Sequence, residues 1–232
     1  MAPTARPTTD ASMQHPIPPA PVAISRRHLL ATLIVAGATG MSARPAHAEA
    51  SPQQIEGAQQ FMQQIADYAI QILRTTNGTL EQREAQFRNL LAQGFDLDFI
   101  SRFVLGKYWR RSSPEEQADY QALFREYILK TYSRRLGGYS GETFQIRNAR
   151  PAGKKDVIVS TLIVQPNGPP IAADWRVRVY DNGYRIIDIM VEGVSMAITQ
   201  RDEFGTVVRA QGMQGLLQAL RARTQMFSMA NK

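Results

Sequence analysis

The sequence contains no cysteine, and its three histidines, His15, His28 and His47, all precede residue 49. Residues 49–232 therefore offer neither an imidazole nor a thiolate. Without these groups a Ser-His-Asp or Cys-His catalytic mechanism is excluded, and the usual ligands of zinc, copper and haem are missing. This composition favours a binding protein over an enzyme, and it predicts that the chain uses neither a metal nor a cofactor.

The first 48 residues have the pattern of an export signal. A pair of arginines, Arg26 and Arg27, precedes a mild apolar stretch, and Ala46-His47-Ala48 matches an A-x-A cleavage site. The arginine pair favours the twin-arginine route, and the apolar stretch is shorter than the roughly 20 residues that span a bilayer. We expect residues 1–48 to be a disordered start and a signal peptide cleaved near Ala48, and residues 49–232 to be a single domain in the periplasm.

Removal of this leader lowers the net charge, which is +7 for the whole chain, because the leader holds more arginines than acids. The modest positive charge that remains argues against nucleic acid as a partner. It fits contact with anionic lipid headgroups, and an ordinary charged surface explains it equally well.

Apolar residues recur at helical spacing in the first part of the mature chain, and local signals mark where the helices begin and end. Asn77-Gly78 ends the first helix, and Thr79 caps the second in a capping box with Gln82. Ser113-Pro114, with acidic residues directly after it, begins a long helix. The sequence therefore predicts a helical region before residue 137.

The spacing then changes to the alternation of β-strands. Four segments alternate, at 144–146, 157–164, 171–180 and 184–191. Their connections are short, and Asp181-Asn182-Gly183 carries the Asn-Gly signal of a tight hairpin, so neighbouring strands must be antiparallel. The prediction is an α+β fold in which a four-stranded antiparallel meander is packed by the N-terminal helices and by two C-terminal helices, 194–208 and 213–226.

One face of the predicted sheet is strongly apolar. It carries Trp175, Val177 and Val179 on the third strand, and the fourth strand is apolar over nearly its whole length. Such a face forms either a filled core or the wall of a long apolar cavity. For any single residue the filled core is the better expectation, and the pattern does not decide between the two.

The segment 106–111 places Lys107, Arg110 and Arg111 beside two aromatic residues, Tyr108 and Trp109. Rings at headgroup depth with cations that pair with phosphate are typical of a lipid–water boundary. Cations near a helix end are also common on ordinary surfaces. A second and weaker cluster contains Tyr132, Arg134 and Arg135.

Two carboxylates interrupt the apolar end of the fourth strand, Asp188 and Glu192. A buried aspartate here is a candidate base for a small enzyme with a cone-like fold. The favoured alternative is structural: Asp188 pairs with an arginine such as Arg201 or caps the following helix. Elsewhere the sequence has no GxGxxG, Walker or HExxH motif.

Several segments follow one another in an order known from one protein family. They read FVLGKYW at 103–109, YSRRL at 132–136, YSGE at 139–142, DWRV at 174–177, IIDIMVEGVSM at 186–196 and QRDEF at 200–204. On these segments the chain resembles the MlaC, or toluene-tolerance auxiliary, family over nearly the whole mature domain.

The resemblance implies a periplasmic phospholipid carrier with a curved, cone-like sheet, packed by helices around an apolar cavity. Such a carrier holds acyl chains inside, leaves the headgroup near solvent, and moves lipid between an outer-membrane lipoprotein complex and an inner-membrane ABC transporter with an MCE-domain subunit. A branch of the family is associated with hopanoid lipids, which is the alternative ligand class. A small periplasmic enzyme that uses Asp188 or Glu192 as a base is the alternative function.

The site expected from the spacing and the resemblance has two parts. The predicted lipid-binding residues are Phe103, Val104, Trp109, Trp175, Val177, Val179, Ile187, Ile189 and Val191. The predicted headgroup or membrane contacts are Lys107, Arg110 and Arg111.

Overall fold

A computed structural model describes residues 49–74, 79–133 and 141–229, without the side chains of Leu80, Ser228 and Met229. Some of the predictions concern residues outside these ranges. They are the leader 1–48, the helix end at Asn77-Gly78, the cations Arg134 and Arg135, and the segments that include residues 134–140.

The described chain consists of helices, then a sheet, then a long final helix. The helices before the sheet are α1 (Pro52–Arg74), α2 (Leu80–Gly94), α3 (Leu97–Leu105), a 3-10 helix (Gly106–Arg111) and α4 (Pro114–Ser133). The strands are β1 (Thr143–Pro151), β2 (Asp156–Val164), β3 (Ile171–Tyr180), β4 (Gly183–Val191) and β5 (Val194–Ser195), and they are followed by α5 (Met196–Met229). None of the described helices has the length and apolar character needed to cross a membrane.

Side chains satisfy the otherwise unpaired N–H groups at the helix starts. The Thr79 hydroxyl accepts a hydrogen bond from the backbone N–H of Gln82 at 3.2 Å, and the Gln82 side chain accepts one from the Thr79 N–H at 3.0 Å. Ser113 and Glu116 form the same reciprocal pair at 3.2 and 3.1 Å. The starts of α2 and α4 therefore lie where the sequence predicts them.

The strands are arranged in the order β1-β2-β3-β4-β5, and every neighbouring pair is antiparallel. The α+β class is confirmed, but the count of four strands is wrong, because Val194–Ser195 forms a fifth strand where a helix start was predicted. A tight turn with positive φ at Glu192 (49°) and Gly193 (78°) folds this segment back onto Val191. Two residues are too few to display an alternating pattern, so periodicity does not detect them.

The two predicted C-terminal helices are consecutive parts of α5. They meet at Gly212, whose φ of 71° and ψ of −177° are not helical. Glycine adopts a positive φ without the steric cost of a side chain. The predicted break between residues 208 and 213 is therefore confirmed.

Two clusters of buried apolar side chains hold the fold together. One lies among α3, α4 and α5 and includes Val104, Phe124 and Phe204. The other lies between α1 and the sheet and includes Met62 and Val177. Members of both clusters also line one cavity.

Candidate ligand-binding cavity

The cavity has a volume of about 470 Å³, within the range of about 300–1,000 Å³ typical of ligand pockets. Its wall is built from α1, α2, α3, α4, strands β1 to β4 and the first turns of α5. The aromatic side chains in this wall are Phe87, Phe95, Phe124, Tyr132, Phe144 and Trp175. Most of the remaining wall is aliphatic, so the cavity suits a hydrocarbon ligand.

Many large apolar side chains on the inner faces of these elements are only half-buried. Ile65, Leu73, Phe87, Ile128 and Ile163 all line the cavity, and each is of intermediate exposure. In a filled core such residues have neighbours on every side and lose nearly all contact with solvent. Their incomplete burial therefore reflects an empty space beside them, and the structure contains a cavity next to its filled core.

Trp175 presents an apolar surface to the cavity because its polar atom is bonded elsewhere. The indole N–H donates to Thr161 Oγ1 at 2.9 Å, and this hydroxyl donates to the carbonyl of Ala173 at 2.9 Å. The ring of Phe144 meets the Trp175 ring edge to face, with centroids 6.0 Å apart. A buried polar group with a partner carries no desolvation penalty, so this part of the wall binds hydrocarbon without a cost from the indole N–H.

Asp188 lies at the edge of the cavity, and its carboxylate is engaged by the start of α5. Oδ1 accepts from the backbone N–H groups of Ile189 at 2.8 Å and Ala197 at 3.1 Å. Oδ2 accepts from the Ser195 hydroxyl at 2.6 Å. The favoured structural interpretation as a helix cap agrees with this geometry, whereas Arg201 instead lies over the ring of Phe103, 5.3 Å from its centroid.

Glu192 also has a structural partner. Its Oε1 accepts from the backbone N–H of Ala172 at 2.7 Å, and its own N–H donates to the carbonyl of Ala172 at 3.0 Å. These bonds fix the turn between β4 and β5. Glu192 is not part of the cavity wall, so the two carboxylates proposed as bases do not share a site.

The structure divides the nine predicted lipid-binding residues into two groups. Val104, Trp175, Ile187 and Ile189 line the cavity. Phe103, Trp109, Val177, Val179 and Val191 do not line it.

Val177 shows why the second group differs from expectation. It is fully buried under α1, in the same cluster as Ala58, Val157 and Ile186. The apolar sheet face is thus filled by α1 around Val177 and open around Trp175, so the face is neither wholly core nor wholly cavity. Phe103 and Trp109 pack against the other core cluster, among α3, α4 and α5.

A β-bulge in β4 changes which residues face the cavity. Trp175 pairs with Ile189 and Val177 pairs with Ile186, so three steps on β4 match two steps on β3. Ile187 lies in the interval where the register shifts. The bulge moves the alternation by one residue, which places Ile186 opposite Val177, where simple alternation predicts Ile187.

Apart from Val104 on α3, the sequence-based site prediction missed the helical part of the wall. α1 contributes Ile65, Ala69 and Leu73, and α2 contributes Phe87 and Leu91. The apolar stripe of α1 was visible in the sequence, but a stripe that covers a sheet and a stripe that lines a cavity have the same spacing.

The predicted headgroup or membrane contacts Lys107, Arg110 and Arg111 are exposed and do not line the cavity. Within the described ranges, no group of three His, Cys, Asp or Glu side chains is placed to hold a metal ion.

Comparison with known proteins supports one family. Residues 63–222 match the family model described as MlaC protein. The intermembrane phospholipid transport system binding protein MlaC of Haemophilus influenzae is 26% identical over 182 residues, which are 75% of this chain and 82% of that protein. The toluene tolerance protein ttg2D of Pseudomonas putida is 21% identical over 124 residues, which are 53% of this chain and 58% of that protein.

A solved structure shares the fold. It is the phospholipid-binding protein from Ralstonia solanacearum in complex with a phospholipid, with a TM-score of 0.66 and 24% identity. The match covers 74% of this chain and 98% of that chain. Because the family model extends over more than half of the sequence, the chain belongs to the MlaC family.

Proposed function

We propose that this protein is a lipid carrier that holds the acyl chains of a phospholipid in its apolar cavity. The observation that carries the proposal is the cavity of about 470 Å³, whose wall is mostly aliphatic and aromatic. Two comparisons support it: the Haemophilus relative is named as a phospholipid transport binding protein, and the Ralstonia structure contains a phospholipid.

The energetics of such a carrier require no catalytic residue. Exposure of one chain of about 16 carbons to water costs roughly 12 kcal/mol, at about 0.8 kcal/mol per methylene. A carrier cannot supply that energy on each cycle. It only needs an interior as dry as the bilayer, so that transfer between the membrane and the cavity is nearly balanced.

The carrier would work in the periplasm, after removal of the leader, with a cone-like sheet curved around the lipid. It would exchange lipid with an outer-membrane lipoprotein complex on one side and with the MCE-domain subunit of an inner-membrane ABC transporter on the other. The net direction of transport would then come from ATP used by that transporter. These partners follow from the family resemblance.

Lipid extraction tests the central proposal. The protein is purified without added lipid, examined by native mass spectrometry, then extracted with organic solvent and the extract identified. We expect the purified protein to carry lipid of one class. Removal of that lipid should lower the mass of the folded protein by the mass of the lipid. Recovery of a phospholipid supports the proposal. Recovery of a hopanoid would keep the carrier function and change the class of ligand.

Uptake by the emptied protein completes the test. After delipidation the protein is mixed with vesicles that contain a fluorescent phospholipid and is separated from them by gel filtration. Absence of lipid from the purified protein, together with no uptake from vesicles, would contradict the carrier proposal.

A further inference from the structure

Five exposed cations lie on the 3-10 helix or beside it: a Cβ at Gly106 would lie 3.1 Å from the guanidinium of Arg201, and Arg102 lies over the ring of Trp109. They are Arg102 on α3, Lys107, Arg110 and Arg111 on the 3-10 helix, and Arg201 on α5. The ion pairs found in the described part of the chain involve other residues. We call these five residues the basic patch.

Aromatic rings hold three of these cations at the surface. The guanidinium of Arg102 lies 5.8 Å from the Trp109 ring centroid, and the Lys107 ammonium lies 5.2 Å from that of Tyr108. The guanidinium of Arg201 lies over the ring of Phe103 in the same way. Because Phe103, Tyr108 and Trp109 are half-buried against the core of α3, α4 and α5, the rings fix the cations to a rigid base.

The patch continues along α5 into an exposed apolar edge. Ile198, Arg201 and Gly205 are spaced three and four residues apart, so they share one face of the helix. A Cβ at Gly205 would lie 4.0 Å from the Tyr108 ring, which places this face beside the 3-10 helix. Ile198 is 52% exposed, and Val194 on β5, just before α5 begins, is 54% exposed.

Two acidic residues, Asp202 and Glu203, follow Arg201 on α5. Glu203 is bonded to the side chain of Gln200 at 3.0 Å, and its position two residues after Arg201 turns it away from the patch face. Asp202 is exposed at the edge of the patch. Even with Asp202 included, this surface carries an excess of positive charge.

We propose that the basic patch docks the protein onto the surface of a membrane that contains anionic phospholipids. Cations meet the phosphates, and Ile198 and Val194 enter the interfacial layer, which is the combination that binds proteins to such surfaces. The docking has a purpose only if the protein is a lipid carrier, so it rests on the proposed function. It assigns Lys107, Arg110 and Arg111 to membrane contact and not to a headgroup held in the cavity.

The placement of the patch suits lipid exchange. α3 contributes Ile100 and Val104 to the cavity wall, and α5 contributes Met196, Ala197 and Gln200. The same two helices carry Arg102 and Arg201 on their exposed sides. A membrane bound at the patch therefore contacts the elements that enclose the ligand.

Vesicle flotation tests the docking. Lipid-loaded protein is mixed with vesicles of phosphatidylethanolamine and phosphatidylglycerol, or with vesicles of phosphatidylcholine alone, over a series of salt concentrations. We expect binding to the anionic vesicles that weakens as salt rises, because screening shortens the reach of the charges. The triple variant Lys107→Gln, Arg110→Gln, Arg111→Gln is expected to bind on the order of 100-fold more weakly.

The matched control removes three exposed cations from β1 and the following turn, with Arg147→Gln, Lys154→Gln and Lys155→Gln. It changes the net charge equally, and binding within about threefold of the unmodified protein is expected, since only the general charge is lost. Equal losses in both triple variants would overturn the proposal. Ile198→Ser is expected to weaken binding at every salt concentration, because its contribution is apolar.

Fluorescence gives a readout that does not depend on the triple variant being folded. The sequence has two tryptophans, so Trp175→Phe leaves Trp109 as the reporter. A blue shift on addition of anionic vesicles supports docking through the patch. If lipid co-purifies with the protein but neither flotation nor fluorescence detects vesicle binding at low salt, the patch proposal is wrong, the carrier proposal stands, and an acidic protein becomes the partner to seek.

Discussion

The phenol ring of Tyr184 on β4 covers the Cα of Gly57 on α1. A Cβ at residue 57 would overlap the hydroxyl and the ring of Tyr184. The same ring stacks on Phe61, one turn further along α1, with centroids 6.0 Å apart. Any larger residue at position 57 would therefore have to displace the Tyr184 ring, and glycine avoids this despite its lower helix propensity.

We expect Gly57→Ala to displace the Tyr184 ring and to lower the free energy of unfolding by about 1–3 kcal/mol. Urea unfolding followed by circular dichroism measures the change. Gly205→Ala is the matched control, because its Cβ would meet its nearest neighbours at ordinary distances of 3.4 and 4.0 Å. There the better helix propensity of alanine is expected to leave stability unchanged or raise it by up to about 1 kcal/mol.

A double-mutant cycle identifies the cause. In a Tyr184→Ala background the space above residue 57 is open, so Gly57→Ala should no longer be destabilising. Equal costs of Gly57→Ala in the two backgrounds would mean that the ring is not responsible.

Local signals predicted the elements well because each signal acts over a few residues. The capping boxes at Thr79 and Ser113 and the Asn-Gly turn before Tyr184 satisfy backbone groups within their own segment, so no tertiary information is needed. The α+β class followed from where the spacing changes. The strand β5 escaped detection because two residues carry no period.

The site was only partly predictable, since its geometry depends on long-range packing. Alternation placed Trp175 and Val177 on the same face, and they do share it, yet α1 fills the space over Val177 and leaves the space at Trp175 open. The bulge near Ile187 also has no sequence signal of its own. An apolar stripe becomes core where two elements pack closely and cavity wall where they stay apart. The composition of the stripe does not predict that separation.

Asp156 joins two arginines on β3. Its carboxylate is bonded to Arg178 Nε at 2.7 Å and to Arg176 Nη2 at 2.8 Å, and its side chain is only 6% exposed. Burial acts to raise the pKa of Asp156, but the hydrogen bonds and charges of Arg178 and Arg176 outweigh it and hold the pKa below its ordinary value. A lowered pKa in the folded state means that ionised Asp156 stabilises the fold.

We expect Asp156→Asn to lower the free energy of unfolding at neutral pH by on the order of 2 kcal/mol, because the arginines lose a mostly buried partner. The stabilisation by Asp156 is fully present above the unfolded-state pKa of about 4, and it is lost as the pH falls through the lower, folded-state pKa. The difference between Asp156→Asn and the unmodified protein should therefore shrink in acid, in urea titrations from pH 7 to pH 3.

Asp119→Asn is the control for this pair. Asp119 also bonds an arginine, Arg221 at 2.8 Å, but their side chains are 58% and 44% exposed. Exposed pairs contribute less than about 1 kcal/mol. A loss at Asp119 as large as that at Asp156 would contradict the argument from burial.

Asp188→Asn tests the structural role of that carboxylate. Three donors form hydrogen bonds to the carboxylate of Asp188. Asparagine keeps only one acceptor oxygen there, and its NH₂ group faces donors with which it cannot form a hydrogen bond. We expect a loss of about 1–3 kcal/mol in unfolding free energy. Glu192→Gln is the comparison: the residue is exposed, accepts one backbone hydrogen bond from Ala172, and its amide oxygen can keep it. Equal stability of both variants to the unmodified protein would argue against the capping role of Asp188 and return it to consideration as a base.

The cavity itself is tested by filling it from α1. Ala69 lines the cavity, and Ala69→Trp places a large ring in space that a ligand would use. Displacement of two methylenes of an acyl chain costs about 0.8 kcal/mol each, so lipid uptake should fall roughly tenfold or more. Stability should be retained, since the ring is buried without displacing core side chains.

Two further tryptophan variants make that result specific. Gln64→Trp adds the same ring to the exposed face of α1 and should leave uptake unchanged. Val177→Trp places the ring in the filled part of the sheet face, where the side chain is 0% exposed, and should unfold the protein or lower its melting temperature sharply, because overpacking forces the core apart. Lipid uptake and thermal unfolding are measured for all three variants. Normal uptake by folded Ala69→Trp would mean that the ligand does not occupy this cavity, whereas a stable Val177→Trp would mean that the boundary between core and cavity lies elsewhere.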